Sequence, residues 1–274
     1  MGAYGDVAER VAELRGRMAA AAARSGRDPG AVTLMAVSKF HPAEAALAAF
    51  RAGVRVFGES RVQEALAKFS AALAADTADA MTAAGAINPG DGAGNRDGGE
   101  AAAALAAALA RGELELHLIG ALQSNKAKKA AELFSCVQSV HSVELARELS
   151  KRALAAGRRL DVLLELHTAE ETKSGFPDRD ALLSACDGLA ALEGLEPRGL
   201  MTMAPWTSDE RAIRASFRTL AAAFREIAAS GRFERFDTLS MGMTNDYEIA
   251  IEEGSTLVRI GTALFGERGA GRAP

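Results

Sequence analysis

A chain of 274 residues is long enough for one large domain with a substantial core. Its apolar and charged fractions, 49% and 25%, are those of an ordinary globular protein, and its formal net charge of −4 gives no basic field for nucleic acid or an anionic lipid surface. The N-terminus lacks a signal-like apolar segment, and no apolar run approaches the roughly 20 residues of a membrane span, so the sequence predicts a cytoplasmic protein without a membrane partner.

The two cysteines, Cys136 and Cys186, lie far apart and both fall in apolar segments. Thiols in such surroundings are usually buried structural residues, and no CxxC pair is present to suggest a zinc site or a redox motif. The four histidines show no metal-ligand spacing. The sequence therefore predicts neither a disulfide scaffold nor a metal site.

In chain order, an amphipathic helix from about residue 7 to residue 25 is followed by eight short runs rich in Val, Leu and Ile. These runs alternate with longer helical patterns. Several runs are apolar on both faces, which is typical of strands buried on both sides in a parallel sheet. The predicted strands are residues 32–37, 54–58, 114–120, 136–140, 160–166, 197–203, 237–242 and 256–261.

Eight βα units in a chain of this length predict a single (β/α)8 barrel, or TIM barrel, that spans residues 1–274 and carries one extra N-terminal helix. A doubly wound open sheet is the structural alternative. The first strand is not followed by the GxGxxG pattern with which such sheets bind dinucleotides, and this disfavours the alternative.

One segment, residues 76–111, interrupts the alternation between the second barrel helix and the third strand. Its middle is rich in Gly, Asp and Asn and has almost no large apolar side chain, a composition that predicts a flexible low-complexity insertion. The alanine-rich end of the segment is expected to be helical and to lead into the third strand.

Lys39 closes the apolar stretch TLMAVSKF, at the end of the first strand, where TIM barrels hold their active sites. A lysine amine forms Schiff bases when burial or a neighbouring cation lowers its pKa, and the apolar neighbours of Lys39 would supply the burial. The alternative is a strand that simply ends here, with the ammonium group extended into water.

The turns after the seventh and eighth strands, SMGMTND and RIGTALFG, both combine glycine with hydroxyl side chains. Loops at these two positions commonly hold a phosphate group in TIM barrels. Gly242 and Gly261 let backbone N–H groups approach an anion, and Ser240, Thr244 and Thr262 have hydroxyl groups to donate. Each turn alone is weak evidence, because glycine is an ordinary turn residue, but together with a strand-end lysine they predict a phosphate site.

Arg259 interrupts the apolar eighth strand TLVRIG. A guanidinium group stays protonated and only donates hydrogen bonds, so an arginine that faces a bound pyridine ring would keep the ring nitrogen unprotonated. Such a ring is a poorer electron sink than one paired with a carboxylate, and a site of this kind would hold pyridoxal 5′-phosphate (PLP) while restraining carbanion chemistry. The alternative is an arginine bonded to a carboxylate inside the barrel mouth.

Seven blocks of sequence, taken in order, resemble the pyridoxal phosphate homeostasis protein family, the single-domain relatives of the alanine racemase barrel. The resemblance covers nearly the whole chain except residues 76–111 and the last few residues. The blocks are AVSK, FGESRVQEA, HLIGALQSNKAKKA, KSGF, GLMTM, LSMGMTND and VRIGTALFG.

This resemblance implies that Lys39 carries PLP as a Schiff base and that Arg259 faces the pyridine nitrogen. It also implies a set of residues around the phosphate, one of them acting through its backbone. These are Ser240, Gly261 and Thr262, with Met243 as the backbone contact, and Gly242 joins the predicted cofactor site from the turn pattern described above.

Two further positions complete the predicted cofactor site. Met201 is expected to line the barrel mouth, with simple core packing as the alternative. Ser60 marks a departure from the family pattern, which usually has Asn and an aromatic residue after GE, where this chain has Ser60 and Arg61. A serine can still cap the helix that follows, and Ser60 is kept as a cofactor-side candidate.

The function that these expectations favour is PLP binding and homeostasis, without a demonstrable enzymatic activity and with PLP-requiring apoenzymes as candidate recipients. The alternative is a PLP-dependent amino-acid racemase. Racemase relatives need a second base and a separate β domain, whereas the chain ends at Pro274 and has only Tyr4 and Tyr247 as tyrosines. A cofactor-free Schiff-base aldolase that uses Lys39 is a third possibility. No long exposed apolar helix suggests a large interface, so a monomer is expected.

Overall fold

The computed structural model describes residues 4–70, 95–169 and 175–267. Eight parallel strands within these residues form a closed barrel in chain order, and the last strand pairs with the first. This arrangement confirms the predicted (β/α)8 barrel. The strands are β1 (Thr33–Val37), β2 (Val56–Glu59), β3 (Glu115–Leu118), β4 (Cys136–Val140), β5 (Leu160–Glu165), β6 (Leu195–Met201), β7 (Thr238–Ser240) and β8 (Leu257–Ile260).

Helices surround the barrel, and the predicted N-terminal helix is present as α1. This helix packs against α2, α9 and α10. Within the residues that the structure describes, no helix combines the length and apolar character that crossing a membrane needs. The helices are α1 (Val7–Arg24), α2 (Ala43–Arg51), α3 (Val62–Phe69), α4 (Asn95–Ala110), α5 (Ala127–Leu133), α6 (Val143–Ala155), α7 (Arg179–Ala190), α8 (Glu210–Ala229), α9 (Tyr247–Glu252) and α10 (Thr262–Phe265).

The two faces of the strands contribute to separate cores, because successive side chains of a strand point to opposite sides. On β1, Leu34 and Ala36 belong to the large core between the barrel and its helices. Met35 and Val37 instead pack inside the barrel with residues of β2 and β8. This inner face also carries Arg259, whose Cα is paired with that of Met35. The barrel interior is therefore partly polar.

The alanine-rich end of the predicted insertion is helix α4, as expected. Helix α4 packs against α2 and α3 and is thus a layer of the barrel rather than an appendage. Its buried side chains recur at helical spacing at Ala101, Leu105 and Ala108. Small side chains suffice for this close helix packing. Residues 76–94 of the predicted insertion lie outside the described residues, so its flexibility stays a prediction.

Candidate functional site

A cavity of about 1120 Å³ opens at the C-terminal ends of the strands, where a TIM barrel is expected to hold its site. The segments that follow β1, β3, β6, β7 and β8 supply its walls. Six of the nine residues predicted from the sequence lie on these walls. They are Lys39, Met201, Met243, Arg259, Gly261 and Thr262.

Lys39 is half-buried and follows β1 by two residues. The Ser38 N–H donates to the carbonyl oxygen of Gly58 over 3.1 Å, which extends the β1–β2 pairing to the residue before the lysine. Lys39 therefore leaves the sheet at the cavity wall. The prediction that this amine faces the barrel mouth agrees with its position, whereas its chemical role stays a prediction.

Arg259 is 4% exposed and carries its guanidinium group from β8 to the floor of the cavity. Its Nη1 donates to the carbonyl and hydroxyl oxygens of Ser240, and its Nη2 donates to the carbonyl oxygen of Thr202 over 2.7 Å. All three acceptors are neutral. Within the described residues no carboxylate forms an ion pair with Arg259, so the alternative of a carboxylate-bound arginine is not what the structure has.

The charge of Arg259 is nevertheless maintained near neutral pH. Burial lowers the pKa of Arg259 to about 10, while the negative charges of Asp246 and Glu165 act in the opposite direction. Because this pKa remains well above 7, the guanidinium group is a permanent cationic donor at the base of the cavity under ordinary conditions.

Ser240 lies beneath Arg259 and is fully buried at the end of β7. Its hydroxyl accepts from Arg259 and donates to Gln138 Oε1 over 2.7 Å. Gln138 Nε2 in turn donates to His117 Nδ1 over 2.9 Å. This chain of hydrogen bonds links β3, β4, β7 and β8 across the barrel interior. The predicted contact of Ser240 with a phosphate stays a prediction, since here its hydroxyl serves the arginine.

The turn after β7 folds back on the start of α9. Gly242 has φ +93, and a Cβ at this position would lie 2.5 Å from Ala250 Cβ, so only glycine fits without displacement. Gly242 itself is not on the cavity wall, but the next residues, Met243 and Thr244, are. Asp246 accepts a hydrogen bond from the Met243 N–H over 2.6 Å and fixes the turn.

The turns after β7 and β8 meet at the cavity. The Ala263 N–H donates to Thr244 Oγ1 over 3.4 Å, and Gly261 and Thr262 lie on the wall beside Thr244. The structure thus brings together the two glycine- and hydroxyl-containing turns that the sequence suggested. The arrangement offers hydroxyl and backbone donors next to the cationic Arg259, which suits an anionic ligand.

Ser60 and Met201 differ in how they relate to the cavity. Met201 is on its wall and also packs with Cys136 and Leu163, so the predicted lining and core packing both apply. Ser60 is not on the wall. It packs against Gly120 so closely that a Cβ added to this glycine would lie 2.8 Å from Ser60 Cβ. It does not cap α3 either, because that helix begins after Arg61.

Sequence reasoning did not single out Thr202 or Gln138. Thr202 holds Arg259 through a backbone carbonyl oxygen, which leaves no mark in the sequence. Gln138 bonds to Ser240, which is 102 residues away in the sequence. Its polar side chain inside the predicted strand CVQSV could have marked it as a residue of the barrel interior. Within the described residues, no group of three or more His, Cys, Asp or Glu side chains is arranged to hold a metal ion.

Comparison with known proteins decides the family. The profile described as "Alanine racemase, N-terminal domain" matches residues 11–269. A Pseudomonas aeruginosa protein called "Pyridoxal phosphate homeostasis protein" is 37% identical over 263 residues, which cover 96% of this chain and 96% of that protein. The Escherichia coli K12 protein of the same name is 36% identical over 267 residues, covering 96% and 97%.

The chain belongs to the pyridoxal phosphate homeostasis protein family. A solved structure of a third relative, PipY of Synechococcus elongatus with PLP bound, matches 95% of this chain and 100% of its own, with 34% identity and a TM-score of 0.71. An uncharacterised protein from Bifidobacterium adolescentis reaches a TM-score of 0.79 at 34% identity and covers 96% of this chain and 95% of its own.

The family resembles alanine racemases in fold. The alanine racemase of Streptomyces coelicolor has a TM-score of 0.58 at 22% identity, and the match covers 92% of this chain but 57% of the racemase. At this identity the likeness concerns the barrel alone. The residues on the cavity wall are therefore interpreted from this chain's own geometry rather than from the racemase.

Proposed function

We propose that this protein binds PLP in the barrel-mouth cavity, holds it as a Schiff base on Lys39 and takes part in PLP homeostasis. The observation that carries the proposal is that Lys39, just after β1, and Arg259, on the neighbouring strand β8, line the same cavity. Relatives that cover nearly the whole chain are named for PLP homeostasis, and PipY has a structure with PLP bound, which supports the choice of ligand.

The residues present fit this cofactor. The cavity, at about 1120 Å³, is large enough for a ligand of drug-like size. Arg259 keeps its charge, has no carboxylate ion-pair partner among the described residues, and would donate to an unprotonated ring nitrogen. Met243, Gly261 and Thr262 would receive the phosphate, and Gly242 would act by shaping their turn.

Bound PLP supplies an aldehyde carbon for reversible attachment to an amine and a conjugated ring that absorbs visible light. The Lys39 amine would supply the nitrogen of one C=N bond to that carbon, the aldehyde oxygen would leave as water, and no oxidant or reductant would be needed. The permanent cation at Arg259 disfavours a protonated ring nitrogen and so weakens the ring as an electron sink. This arrangement suits storage and release of the cofactor better than carbanion chemistry.

The racemase alternative has less support. A two-base mechanism needs a second group within hydrogen-bond reach of the substrate, on the face opposite the lysine. Among the described residues on the cavity wall there is no tyrosine, cysteine or histidine. The wall does carry two carboxylates, but Asp246 accepts from the Met243 N–H and Glu210 accepts from the Arg214 guanidinium group. Tyr247 is buried in α9, with the Arg17 guanidinium 5.5 Å from its ring centroid. A sugar-phosphate aldolase that uses Lys39 without cofactor remains chemically distinct and is separated by the experiment below.

The test is a titration of the purified protein with PLP, followed by absorbance and by α-carbon exchange. A visible Schiff-base band that disappears in Lys39→Ala is expected. No deuterium exchange into alanine or serine is expected from the loaded protein. A protein that stays colourless contradicts PLP binding and favours the aldolase, whereas rapid exchange favours the racemase.

The proposal extends to partners and location. We propose PLP-requiring apoenzymes as recipients, a monomeric state and a cytoplasmic location. Among the described residues, the exposed large apolar side chains are Phe40, Leu154 and Trp206, and they lie on three different segments, which supports a monomer. The two cysteines are both buried free thiols, in keeping with a reducing compartment. Transfer of PLP to an added apoenzyme tests the proposed recipients, and light scattering tests the monomeric state.

A further inference from the structure

Ser38 and Phe40, the residues on either side of Lys39, form hydrogen bonds with several neighbouring residues. The Ser38 hydroxyl donates to Glu59 Oε1 over 2.7 Å, and the Ser38 carbonyl oxygen accepts from the His41 N–H over 3.0 Å. The Phe40 N–H donates to Glu64 Oε1. The peptide groups on both sides of Lys39 are thus fixed by partners from β2 and α3.

Lys68 connects these partners. Its ammonium group donates to the Ser38 carbonyl oxygen over 2.6 Å, to Glu59 Oε1 over 3.0 Å and to Glu64 Oε1 over 2.7 Å. The three bonds use all three hydrogens of the ammonium group. Lys68 therefore binds the residue before Lys39 directly, and through Glu64 it is linked to the residue after it.

This cluster is costly to build, which argues against an incidental surface contact. The Lys68 side chain is 8% exposed and that of Glu59 is 0% exposed. Taking both charges out of water requires good geometry and further hydrogen bonds to compensate. Within the described residues Glu59 Oε2 has no hydrogen-bond partner, so this carboxylate is not arranged for maximal stability. Burial raises the pKa of Glu59, while the Lys68 charge acts in the opposite direction.

The backbone at the same place is strained. Phe40 is the one residue other than glycine with positive φ in the described part of the chain, at φ 65. A bulky side chain in the left-handed region is strained and persists only where the surroundings hold it. The bond from Phe40 N–H to Glu64 provides such a hold immediately after Lys39. Strain of this kind at a site residue points to a constrained placement of the neighbouring side chain.

We infer that Lys68, together with Glu59 and Glu64, is a positioning residue that fixes the Lys39 amine at the cavity wall in the geometry needed for attachment to PLP. The inference rests on the proposed function, because it takes Lys39 as the residue that attaches PLP. It assigns no cofactor contact to Lys68 itself. Lys68 acts through the peptide groups of Ser38 and Phe40, and it is absent from the cavity wall.

The experiment compares PLP with pyridoxine 5′-phosphate, which has the same ring and phosphate but no aldehyde. Lys68→Met is expected to lower the equilibrium constant for the borohydride-reducible adduct by about 10- to 100-fold, since misplacement of a reacting group by about 1 Å has effects of this size. Binding of pyridoxine 5′-phosphate is expected to change less than about twofold, because ring and phosphate contacts lie elsewhere. The matched control is Lys128→Met, whose lysine is exposed on α5.

A second variant covers the case in which Lys68→Met does not fold. Glu64 is partly exposed, so Glu64→Ala is expected to fold, yet it removes the bonds to both Phe40 and Lys68. It should lower adduct formation in the same selective way. The control is Glu132→Ala, which breaks an exposed i,i+4 pair with Lys128.

The outcomes separate the two proposals. A wild-type protein that forms no adduct overturns the proposed function and the inference together. Folded variants with a wild-type adduct constant overturn the inference alone. An equal loss of PLP and pyridoxine 5′-phosphate binding shows a merely structural role and also overturns it. Selective loss of the adduct, in either variant, supports it.

Discussion

Arg259 Nη1 lies 2.9 Å from the carbonyl oxygen and 2.7 Å from the hydroxyl oxygen of Ser240 and donates to both. This pairing joins the ends of β7 and β8, the two strands whose turns form one wall of the cavity. The Ser240 hydroxyl thus orients a buried cation, a role that the sequence of the glycine-rich turn did not predict. The charged group at the base of the cavity is therefore held by the barrel backbone itself.

Replacement of Arg259 tests the importance of this orientation. Arg259→Lys keeps a cation but cannot reach Ser240 and Thr202 with a planar fork, so we expect PLP affinity to fall by about tenfold, the equivalent of one charged hydrogen bond. Arg259→Met should lower PLP affinity by about 10- to 100-fold, because it removes every hydrogen-bond donor of the side chain. Titration monitored by absorbance measures both changes. Wild-type affinity in Arg259→Met would show that the guanidinium does not contact the cofactor.

Gly242→Ala tests whether the turn after β7 needs glycine for its shape. Two costs are expected, about 1 kcal/mol from positive φ and about 1–3 kcal/mol from overpacking against Ala250. Gly231→Ala is the matched control, because Gly231 also has positive φ, at +65, but open space around it. Thermal unfolding should show the larger loss for Gly242→Ala, together with weaker PLP binding. Equal losses in the two variants would contradict the steric argument.

The single tryptophan of the chain should report on the cavity. Trp206 is 79% exposed and lies on the cavity wall. A PLP Schiff base absorbs where tryptophan emits, so filling the cavity should quench the fluorescence in proportion to the occupied fraction. Trp206→Phe should bind PLP with little change and lose the signal. A saturating absorbance change without any quenching would place the cofactor away from this cavity.

The acid stability of the barrel should depend on α9 and its C-terminal neighbour Glu253. Burial alone would raise the pKa values of Glu252 and Glu253. Hydrogen bonds from Arg214 and Arg24 outweigh this effect and lower the pKa of Glu252. Hydrogen bonds from Arg218 and Arg214 lower that of Glu253 in the same way. A carboxyl group with a lowered native pKa stabilises the fold above the unfolded pKa, and this contribution is lost as the pH falls through the native pKa.

We therefore expect the free energy of unfolding to fall as the pH drops below about 4.5, because protonation of either carboxyl group weakens its ion pairs. The double variant Glu252→Gln/Glu253→Gln should be less stable at neutral pH and show a flatter pH dependence. Denaturant unfolding at several pH values measures this, with Glu132→Gln as the exposed control. An unchanged slope in the double variant would contradict a role for these ion pairs.

The alternation of strands and helices was predictable because it depends on local pattern. Runs of β-branched and apolar residues bounded by turn residues gave eight strands, and the strand-end position of Lys39 followed from them. Strand ends were less exact. The seventh strand was expected to reach residue 242 but ends at Ser240, because the following turn needs the positive φ of Gly242.

Contacts between distant segments were not predictable in the same way. Ser60 has the local pattern of a helix cap, but α3 begins one residue later with Arg61 at its N-cap, and Ser60 packs against Gly120 instead. The bond between Ser240 and Gln138 joins residues 102 apart and depends on the register of the closed barrel. Local propensity carries no information on such pairs, since they exist only once the barrel has closed.

The most direct test of the account is to reduce the PLP-loaded protein with borohydride and to locate the modified peptide by mass spectrometry. A single phosphopyridoxyl group on the peptide that contains Lys39, absent from Lys39→Ala, is the predicted result. Modification of another lysine in the wild-type protein, or a reducible adduct fully retained in Lys39→Ala, would contradict it.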